Sequence, residues 1–277
     1  MRSPGSIFAG YELESVVGAG GIGILYRARQ LRLDRPVALK LVESDVARDP
    51  VIRERLRREA RTVATLDHPN VVPLYEAGEE EGTVYIATQW VDGTELGTLI
   101  HGDGPLEPAR AARIAAQIAA ALEVAHEKGL VHRDVKPSNV IVTSEDHVYL
   151  TDFGLAKRAG TAAGLTGMDK LLGTIDYVAP EQIEGSEPDA RGDVYSLACV
   201  LFEMLTGEAP FADQKGGMAK MWAQLNAESP SLRERRPDVP AALDDVVRRA
   251  MAKAPDARPT AAAFRAQVLV AVGDEAP

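Results

Sequence analysis

Cysteine is almost absent from this chain of 277 residues, since Cys199 is the only one. A disulfide within the chain is therefore excluded, and we expect Cys199 to be a buried small apolar side chain in a reducing compartment.

Long apolar runs are also absent: the longest, at 194–205, contains Glu203 and is shorter than the about 20 residues that a membrane helix needs. No extended apolar stretch follows Arg2, which argues against a signal peptide. We therefore expect a cytoplasmic location and no membrane segment in this chain.

Lysine and arginine are in the minority among the charged residues, 31 against 41 aspartates and glutamates, which gives a formal net charge of -10. This acidic balance argues against nucleic acid as a partner, because a nucleic-acid footprint needs a broad basic surface. The hydrophobic fraction of 45% is enough for a core, in one large domain or in two packed lobes.

Strand-like and helix-like patterns divide the chain near residue 91. Segments rich in β-branched and aromatic residues predict strands at 11–17, 24–30, 36–42, 71–77 and 83–90. Apolar stripes at helical spacing predict helices at 49–66, 108–129, 193–205, 241–252 and 260–270. A small hairpin is expected at 139–142 and 147–150, followed by a long loop at 156–175. These patterns predict an α+β fold with a strand-rich N-terminal part that contains one helix, residues 1–91, and a mostly helical C-terminal part, residues 92–277.

The most informative motif is VHRDVKPSN at 131–139, which is followed by TDFG at 151–154. It places an acid, Asp134, near Lys136 and Asn139, and a second acid, Asp152, shortly after them. Phosphoryl transfer needs such groups, because its transition state spreads negative charge that positioned cations and metal ions must compensate. Each residue alone could be an ordinary loop or turn residue. Their joint spacing favours a phosphotransferase in which Asn139 and Asp152 could hold metal ions.

A glycine cluster, GAGGIG, lies between the first two strand-like segments and consists of Gly18, Gly20, Gly21 and Gly23. A plain hairpin turn would also account for these glycines. A dinucleotide-binding fingerprint would enter a helix here and meet an acid about 20 residues later, whereas this sequence continues as a strand and has Lys40 at that position. The cluster is therefore a candidate flap over nucleotide phosphates.

Lys40 ends the strand-like segment VALK and alternates onto a different face from Val37 and Leu39. A lysine beside a glycine flap can pair with the α- and β-phosphates of a nucleotide, and Glu59 on the next helix is its candidate counter-ion. The alternative for both residues is a solvated surface charge.

In the order and spacing of its motifs the chain resembles the eukaryotic-like protein kinases, and closely the serine/threonine kinases of bacteria. The resemblance extends from Tyr11 to about Val270 and includes GAGGIG, VALK, RREA, HPNVV, HRDVKPSN, DFG, GTIDYVAPE and DARPT. It implies the two-lobed protein kinase fold, with an N-terminal lobe of antiparallel sheet plus one helix and a mostly helical C-terminal lobe. It also implies an enzyme that transfers the γ-phosphate of ATP to serine or threonine hydroxyls of protein substrates. It also implies Mg²⁺ or Mn²⁺ as the metal cofactor.

The resemblance implies a role for each residue of the central motif. Asp134 would orient the substrate hydroxyl and accept its proton, and Lys136 would neutralise charge on the transferring phosphate. Asn139 and Asp152 would hold the metal ions.

The resemblance also implies the nucleotide-binding residues. Lys40 and Glu59 would form the ion pair that marks the active state. Besides the four glycines, the residues implied to contact the nucleotide are Val17, Leu25, Ala38, Thr88, Gln89, Val91 and Ile141.

Regulation is implied by Arg133, which in similar kinases binds a phosphorylated residue of the activation loop. The loop offers Thr161 and Thr166 as sites of autophosphorylation, which a homodimer would support in trans. Thr166 is the preferred candidate because it lies eight residues before Thr174, a position used by similar bacterial kinases. Thr174 matches the threonine that lies beside Asp134 and Lys136 in serine/threonine kinases. Glu181 and Arg258 match a buried ion pair of the C-terminal lobe.

Three alternatives remain open from the sequence. One is a nucleotide-sensing binding module, which would bind ATP but transfer no phosphate. An ATP-binding pseudokinase scaffold would be expected to have lost Lys40, Asp134 or Asp152, and this chain has all three. A small-molecule phosphotransferase of related fold is opposed by Lys136, Thr174 and the APE segment. Similar bacterial kinases often continue into a membrane helix and a sensor domain, so the chain is either a complete cytoplasmic kinase or the cytoplasmic domain of a membrane-anchored one.

Overall fold

The computed structural model describes residues 2–20, 23–42, 50–153, 175–187 and 189–274, without the side chains of 50–53, 55 and 56. Within these parts of the chain the contacts divide into two compact units. The first comprises residues 1–67 and 71–92, and the second comprises 68–70, 93–153 and the residues described after 174. The lobe boundary expected from the sequence, between residues 91 and 92, stays a prediction.

The first unit is an antiparallel sheet with one long helix. Over the residues that the structure describes, the sheet has six strands in the order β1-β2-β3-β4-β6-β5. The strands are β1 (Ile7–Phe8), β2 (Tyr11–Gly20), β3 (Gly23–Gln30), β4 (Arg35–Val42), β5 (Leu74–Glu80) and β6 (Thr83–Gln89). Helix α1 (Pro50–Val63) lies between β4 and β5 in the chain.

One predicted strand is displaced in the structure. The strand expected at 71–77 is β5, which begins at Leu74 and ends at Glu80. Pro73 has no N–H to donate to a ladder, and its carbonyl accepts a hydrogen bond from the Gln89 N–H at 2.9 Å. The strand continues through the acidic end of the segment because Glu79 and Glu80 pair with Val84 and Thr83 of β6.

A polar anchor lies beside the core of this sheet. The Glu76 carboxylate accepts hydrogen bonds from the Tyr11 hydroxyl at 2.6 Å and from the Tyr85 hydroxyl at 2.8 Å. Burial, and then the neighbouring Glu76 carboxylate, raise the pKa of Tyr85 to about 12. Both hydroxyls therefore remain donors at neutral pH and hold β2 and β6 to β5.

The second unit is mostly helical. Its α-helices, within the described part of the chain, are α2 (Leu96–Asp103), α3 (Pro108–Glu127), α4 (Pro180–Ile183), α5 (Ala190–Thr206), α6 (Gly217–Asn226), α7 (Leu232–Arg235), α8 (Ala241–Ala250) and α9 (Ala261–Ala271). A small antiparallel sheet has the order β7-β8-β9 and consists of β7 (Thr94–Glu95), β8 (Val140–Val142) and β9 (Val148–Leu150). The pairing of β8 with β9 confirms the hairpin that the sequence predicts.

Helix α5 is the centre of this unit. Every residue from Gly192 to Leu205 is buried, as its almost uniformly apolar sequence predicts. The helix begins three residues earlier than predicted, because the Asp189 side chain caps it by accepting a hydrogen bond from the Arg191 N–H at 2.8 Å. Cys199 is fully buried, as expected, and this burial raises the pKa of its thiol well above the usual range.

Helix α3 packs against α5 and α9. Pro108 occupies its first turn, and the Glu107 side chain caps it by accepting a hydrogen bond from the Arg110 N–H at 3.1 Å. It ends before Gly129, which has a φ of +69° and lets the Leu130 N–H bond back to the Ala125 carbonyl at 2.9 Å. In the part of the chain that the structure describes, no helix is both long and apolar enough to cross a bilayer.

Candidate active site

In the first unit, β4 has one face in the core and one face outside it. Val37 and Leu39 are fully buried, whereas Ala38 and Lys40 are half-buried on the opposite face, which confirms the predicted alternation. Across the ladders Lys40 lies opposite Leu25, and Ala38 lies opposite Thr88. The Thr88 hydroxyl also donates to the Ala38 carbonyl at 3.5 Å. The structure therefore gathers Leu25, Ala38, Lys40 and Thr88 on a single face of the sheet.

The glycine cluster closes the β2–β3 hairpin. Gly18 pairs with Leu25 and Gly20 with Gly23, and the ladder is irregular beside Val17, which is 45% exposed. At Gly23 a Cβ atom would collide with the backbone carbonyl of Leu41, so only glycine allows β3 to lie this close to β4. Gly21 lies outside the described residues.

Glu59 lies on α1 next to the face that is buried. Ala60 and Val63 are 4% and 6% exposed, and Glu59 is half-buried beside them. On the solvent side, Arg57 forms an ion pair with Glu79 of β5 at 2.9 Å, which ties the helix to the sheet. The Lys40–Glu59 ion pair remains a prediction, as do the nucleotide contacts of Gln89, the last residue of β6, and of Val91.

In the second unit, the carboxylate of Asp193 holds the backbone of the HRD segment. Asp193 lies in the first turn of α5 and is 1% exposed. Its Oδ2 accepts the His132 N–H at 2.8 Å, and its Oδ1 accepts the Arg133 N–H at 2.7 Å. Arg133 has a φ of +65°, a left-handed conformation that costs a non-glycine residue about 1–3 kcal/mol. Hydrogen bonds to a buried charge offset this cost and fix the chain direction just before Asp134.

The imidazole of His132 connects Asp134 to the DFG segment. His132 is fully buried, and its ring centroid lies 4.7 Å from that of Phe153. Burial lowers the pKa of His132, so the ring is neutral. Nε2–H donates to the Thr151 carbonyl at 2.9 Å, which leaves Nδ1 to accept the Asp134 N–H at 3.3 Å.

The Asp134 carboxylate is held by two neighbours from its own loop. Lys136 Nζ lies 2.9 Å from Asp134 Oδ2, and the Asn139 amide donates to the same oxygen at 3.1 Å. Asn139 also donates to the Asp134 backbone carbonyl at 2.7 Å. The structure therefore brings these three predicted residues together and fixes the orientation of the carboxylate.

Asp152 is joined to Asn139 through Thr151. The Thr151 N–H donates to the Asn139 carbonyl at 2.9 Å, and the Thr151 hydroxyl donates to the same oxygen at 3.2 Å. Asp152 itself is exposed and has a φ of +55°. Its carboxylate and the amide oxygen of Asn139 form an oxygen donor set that suits Mg²⁺ or Mn²⁺. Over the described residues, no group of three or more His, Cys, Asp and Glu side chains could form a complete metal cage.

Asn70, in the HPNVV segment, belongs to the second unit and supports the strand that leads to Thr151. Its amide donates to the Gln117 side chain at 3.0 Å and to the Val148 carbonyl at 2.8 Å. Its carbonyl accepts the Leu150 N–H at 2.8 Å. The sequence alone gives Asn70 no role, because its partners lie 47 and 78 residues further along the chain.

Gly93 was also missed, although it packs against a predicted nucleotide contact. A Cβ atom there would lie 2.7 Å from Ile141 Cγ2 and 2.8 Å from the Val142 carbonyl oxygen. Ile141, on β8, is half-buried, and its contact with adenine stays a prediction. Only glycine allows the chain before β7 to lie this close to β8.

Of the predicted regulatory residues, only Arg133 is described, whereas Thr166 and Thr174 lie outside the described residues. The Arg133 side chain is 14% exposed, and its Nη2 lies 3.1 Å from the Glu187 carboxylate. Its backbone carbonyl accepts a hydrogen bond from the Gln182 amide at 3.1 Å.

The segment that follows residue 174 is fixed by helices α5 and α6. It forms a short 3-10 turn, Ile175–Tyr177, whose first two carbonyls accept hydrogen bonds from the Gln224 amide at 3.1 and 2.8 Å. The Tyr177 hydroxyl donates to the Glu203 carboxylate at 2.6 Å. Burial raises the pKa of Glu203, and the hydrogen bond from Tyr177 opposes this shift.

The predicted ion pair between Glu181 and Arg258 is confirmed. The two carboxylate oxygens lie 2.7 and 2.8 Å from the two terminal guanidinium nitrogens, and the side chains are 11% and 0% exposed. Arg258 also donates to the carbonyls of Ala252 and Lys253 at 2.7 and 2.8 Å. Such a bidentate and fully bonded pair anchors α4 to the segment before α9.

The sheet-and-helix unit, the helical unit and the geometry of the HRD loop define a protein kinase. The model of the protein kinase domain matches residues 11–270, and the chain belongs to this family. It is a catalytic domain of the bacterial serine/threonine type.

Relatives with curated names share about two fifths of their residues with this chain. Serine/threonine-protein kinase PknB of Mycolicibacterium smegmatis is 42% identical over 284 residues, which cover 100% of this chain and 45% of that protein. PknE of Mycobacterium tuberculosis is 42% identical over 254 residues, which cover 92% of this chain and 44% of that protein. The chain therefore spans less than half the length of these relatives.

Solved structures agree with this assignment. The crystal structure of the PknI kinase domain of Mycobacterium tuberculosis superposes with a TM-score of 0.78 at 30% identity. The superposition covers 98% of this chain and 100% of that one.

Removal of one partner of the Glu181–Arg258 pair should destabilise the second unit strongly. We expect Glu181→Ala to lower the free energy of unfolding by about 3–5 kcal/mol, because it leaves the Arg258 guanidinium buried without its counter-charge. Urea denaturation measures this change. Asp34→Asn, which breaks an exposed ion pair with Arg29, is the control and should have a much smaller effect. Equal losses of unfolding free energy in the two variants would contradict the expectation that the buried ion pair contributes more to stability than the exposed one.

Proposed function

We propose that this chain transfers the γ-phosphate of ATP to serine or threonine hydroxyls of protein substrates. The observation that carries the proposal is the Asp134 carboxylate, held by Lys136 at 2.9 Å and by Asn139 at 3.1 Å within a loop whose backbone is fixed by Asp193. The names of the serine/threonine kinases that resemble this chain also support the proposal.

Asp134 is the proposed base of the reaction. Its carboxylate accepts a hydrogen bond from the substrate hydroxyl, orients it towards the phosphorus atom and takes its proton as the new P–O bond forms. The bond between the γ-phosphorus and the bridging oxygen breaks, and ADP leaves with that oxygen. Lys136, beside Asp134, donates to the transferring phosphoryl group and compensates its charge.

The proposed metal ligands are the amide oxygen of Asn139 and the carboxylate of Asp152. We assign Mg²⁺ to them, with Mn²⁺ as a substitute of similar ligand preference. When bound, the cation neutralises charge on the nucleotide phosphates. The hydrogen bonds from Thr151 to the Asn139 carbonyl, at 2.9 and 3.2 Å, hold the two ligand-bearing segments together.

In the first unit, Lys40 is the proposed partner of the α- and β-phosphates, and Glu59 is the proposed counter-ion of Lys40. The face that carries Leu25, Ala38 and Thr88 provides apolar and small side chains for adenine. The glycine cluster supplies backbone N–H groups for the phosphates.

The proposed partners are protein substrates and a second copy of the chain for phosphorylation in trans. The proposed location is the cytoplasm, which includes the case of a cytoplasmic domain of a membrane-anchored kinase.

Replacement of the base should abolish most of the transfer. We expect Asp134→Asn to lower kcat by about 10²–10⁴-fold, because an amide cannot accept the hydroxyl proton. Transfer of ³²P from [γ-³²P]ATP to the chain itself and to a generic basic protein measures the loss, with and without EDTA.

The control is Asp238→Asn, which removes an exposed acid 65% accessible to solvent and should leave transfer unchanged. Equal labelling by wild type and Asp134→Asn would contradict the mechanism. ATP binding without any transfer by wild type would support a pseudokinase scaffold instead.

Regulation through Arg133 is a further part of the proposal. A phosphate on Thr166 would carry about -1.5 to -2 charges and bind the Arg133 guanidinium more strongly than a carboxylate such as Glu187 does. We expect dephosphorylation to lower kcat of wild type and to have no effect on Arg133→Gln. Thr166→Ala should behave as dephosphorylated wild type, and Thr161→Ala, the control, as wild type. Phosphopeptide mapping that finds an unmodified loop in fully active protein would disprove this regulation.

A further inference from the structure

Three side chains form a chain of hydrogen bonds that ends on the turn at 175–177. Lys253 Nζ donates to the Tyr195 hydroxyl at 3.3 Å, and this hydroxyl donates to the side-chain oxygen of Gln224. The Gln224 amide nitrogen then donates to the carbonyls of Ile175 and Asp176, at 3.1 and 2.8 Å. Tyr195 and Gln224 are 0% and 1% exposed, and the whole chain of bonds lies within the second unit.

Lys253 determines the direction of these hydrogen bonds. Its ammonium group has three N–H donors and no acceptor, so the Tyr195 hydroxyl cannot donate to it and directs its single hydrogen towards Gln224. Burial lowers the pKa of Lys253 to about 8, and the ammonium form therefore still predominates at pH 7. Its other donors bond to the carbonyls of Ala223 and Gln224 at 3.3 and 2.8 Å, in the last turn of α6.

The Tyr195 hydroxyl in turn fixes the orientation of the Gln224 amide. An amide rotated by 180° would point its oxygen at the carbonyls of Ile175 and Asp176, which are acceptors as well. Both carbonyls would then lose the donor that holds them in the structure. The observed orientation of the amide therefore depends on the hydroxyl and, through it, on Lys253.

The turn is connected to the catalytic loop by the helix that follows it. Gln182 of α4 donates to the Arg133 carbonyl at 3.1 Å, directly before Asp134. Helix α6 also holds the turn at a second point, because Lys220 Nζ lies 2.6 Å from the Asp176 carboxylate. The residues proposed to contact ATP lie on other segments, so a displaced turn should affect the protein substrate and not the nucleotide.

We propose that Lys253 is a positioning residue for the protein substrate: it directs the Tyr195 hydroxyl and so the Gln224 amide, which keeps the 175–177 turn where a protein can bind beside Asp134. The inference rests on the proposed function. The sequence gives no sign of it, because the partners of Lys253 lie 29 and 58 residues earlier in the chain.

The first test separates protein binding from ATP binding. Lys253→Met keeps the length of the side chain and removes its donors, whereas Lys253→Arg keeps a cation that can only donate. We expect Lys253→Met to raise KM for a generic basic protein on the order of tenfold at pH 7. KM for ATP and the rate of ATP hydrolysis without protein should stay within about twofold of wild type. Lys253→Arg should recover most of the loss.

The matched control is Lys215→Met, which removes an exposed lysine of the same unit. We expect this variant to keep the wild-type KM for the protein. An equal rise of this KM in Lys253→Met and Lys215→Met, or no rise in either, would overturn the proposal. A rise of KM for ATP as large as the rise of KM for the protein would overturn it as well.

A second variant tests the chain of hydrogen bonds itself. Tyr195→Phe removes the hydroxyl and keeps the ring, whose centroid lies 4.9 Å from the Arg258 guanidinium. We expect Tyr195→Phe to raise KM for the protein by about the same factor as Lys253→Met. The double variant should be no worse than either single variant, because both changes act through the same bond. Rises that multiply in the double variant would contradict this chain. If Lys253→Met does not fold, Tyr195→Phe takes its place in every measurement.

Hydrogen exchange provides a readout that does not require kinase activity. Exchange of the backbone amides at 175–178, followed by mass spectrometry, should be faster in Lys253→Met than in wild type and should return to the wild-type rate in Lys253→Arg. Unchanged exchange in Lys253→Met would disprove the positioning role. If wild type transfers no phosphate, the proposed function fails, and the exchange rates still decide whether Lys253 holds the turn.

Discussion

The buried carboxylate of Asp193 is the interaction on which the geometry of the catalytic loop depends. A charge that is 1% exposed is costly unless N–H groups surround it, and here donors from the loop and from α3 do so at 2.7–2.8 Å. In return it holds Arg133 in a left-handed conformation that the residue would not adopt alone. The charge therefore stabilises a strained turn, and the turn points Asp134 in the direction that the proposed reaction needs.

Further hydrogen bonds connect the other residues of the site to this loop. The neutral His132 ring accepts the Asp134 N–H and donates to the Thr151 carbonyl, and the Thr151 hydroxyl donates to the Asn139 carbonyl. Asn70 holds strand β9, which leads into Thr151, by hydrogen bonds to the Val148 carbonyl and the Leu150 N–H. The proposed base and the proposed metal ligands are therefore held in place by residues that are themselves fixed by hydrogen bonds, as a preorganised site requires.

Features with a local signature were predictable from the sequence. The two-residue period of VALK predicts that Lys40 lies on the opposite face of the strand from Val37 and Leu39. The almost uniformly apolar sequence of α5 predicts that this helix is buried. The spacing of Asp134, Asn139 and Asp152 was sufficient to suggest the chemistry that is proposed for the site. The start of β5 was predicted wrongly, since the apolar pair before Pro73 extends the strand pattern although proline cannot join the ladder. Asn70 and Gly93 could not be predicted because their partners lie far away in the chain. The left-handed φ of Arg133 has no sequence signal, because this conformation is rare in residues other than glycine.

The central claim is that the charge of Asp193, and not only its shape, maintains the active loop. The most direct measurement is kcat of Asp193→Asn for γ-phosphate transfer, together with its Kd for ATP. An asparagine has almost the same volume as aspartate, but it is neutral and replaces one of the two acceptor oxygens with an NH2 group. That group cannot accept a hydrogen bond from the loop N–H that faces it. The account predicts a loss of kcat on the order of 100-fold with a Kd for ATP near that of wild type. A kcat within about twofold of wild type would contradict it.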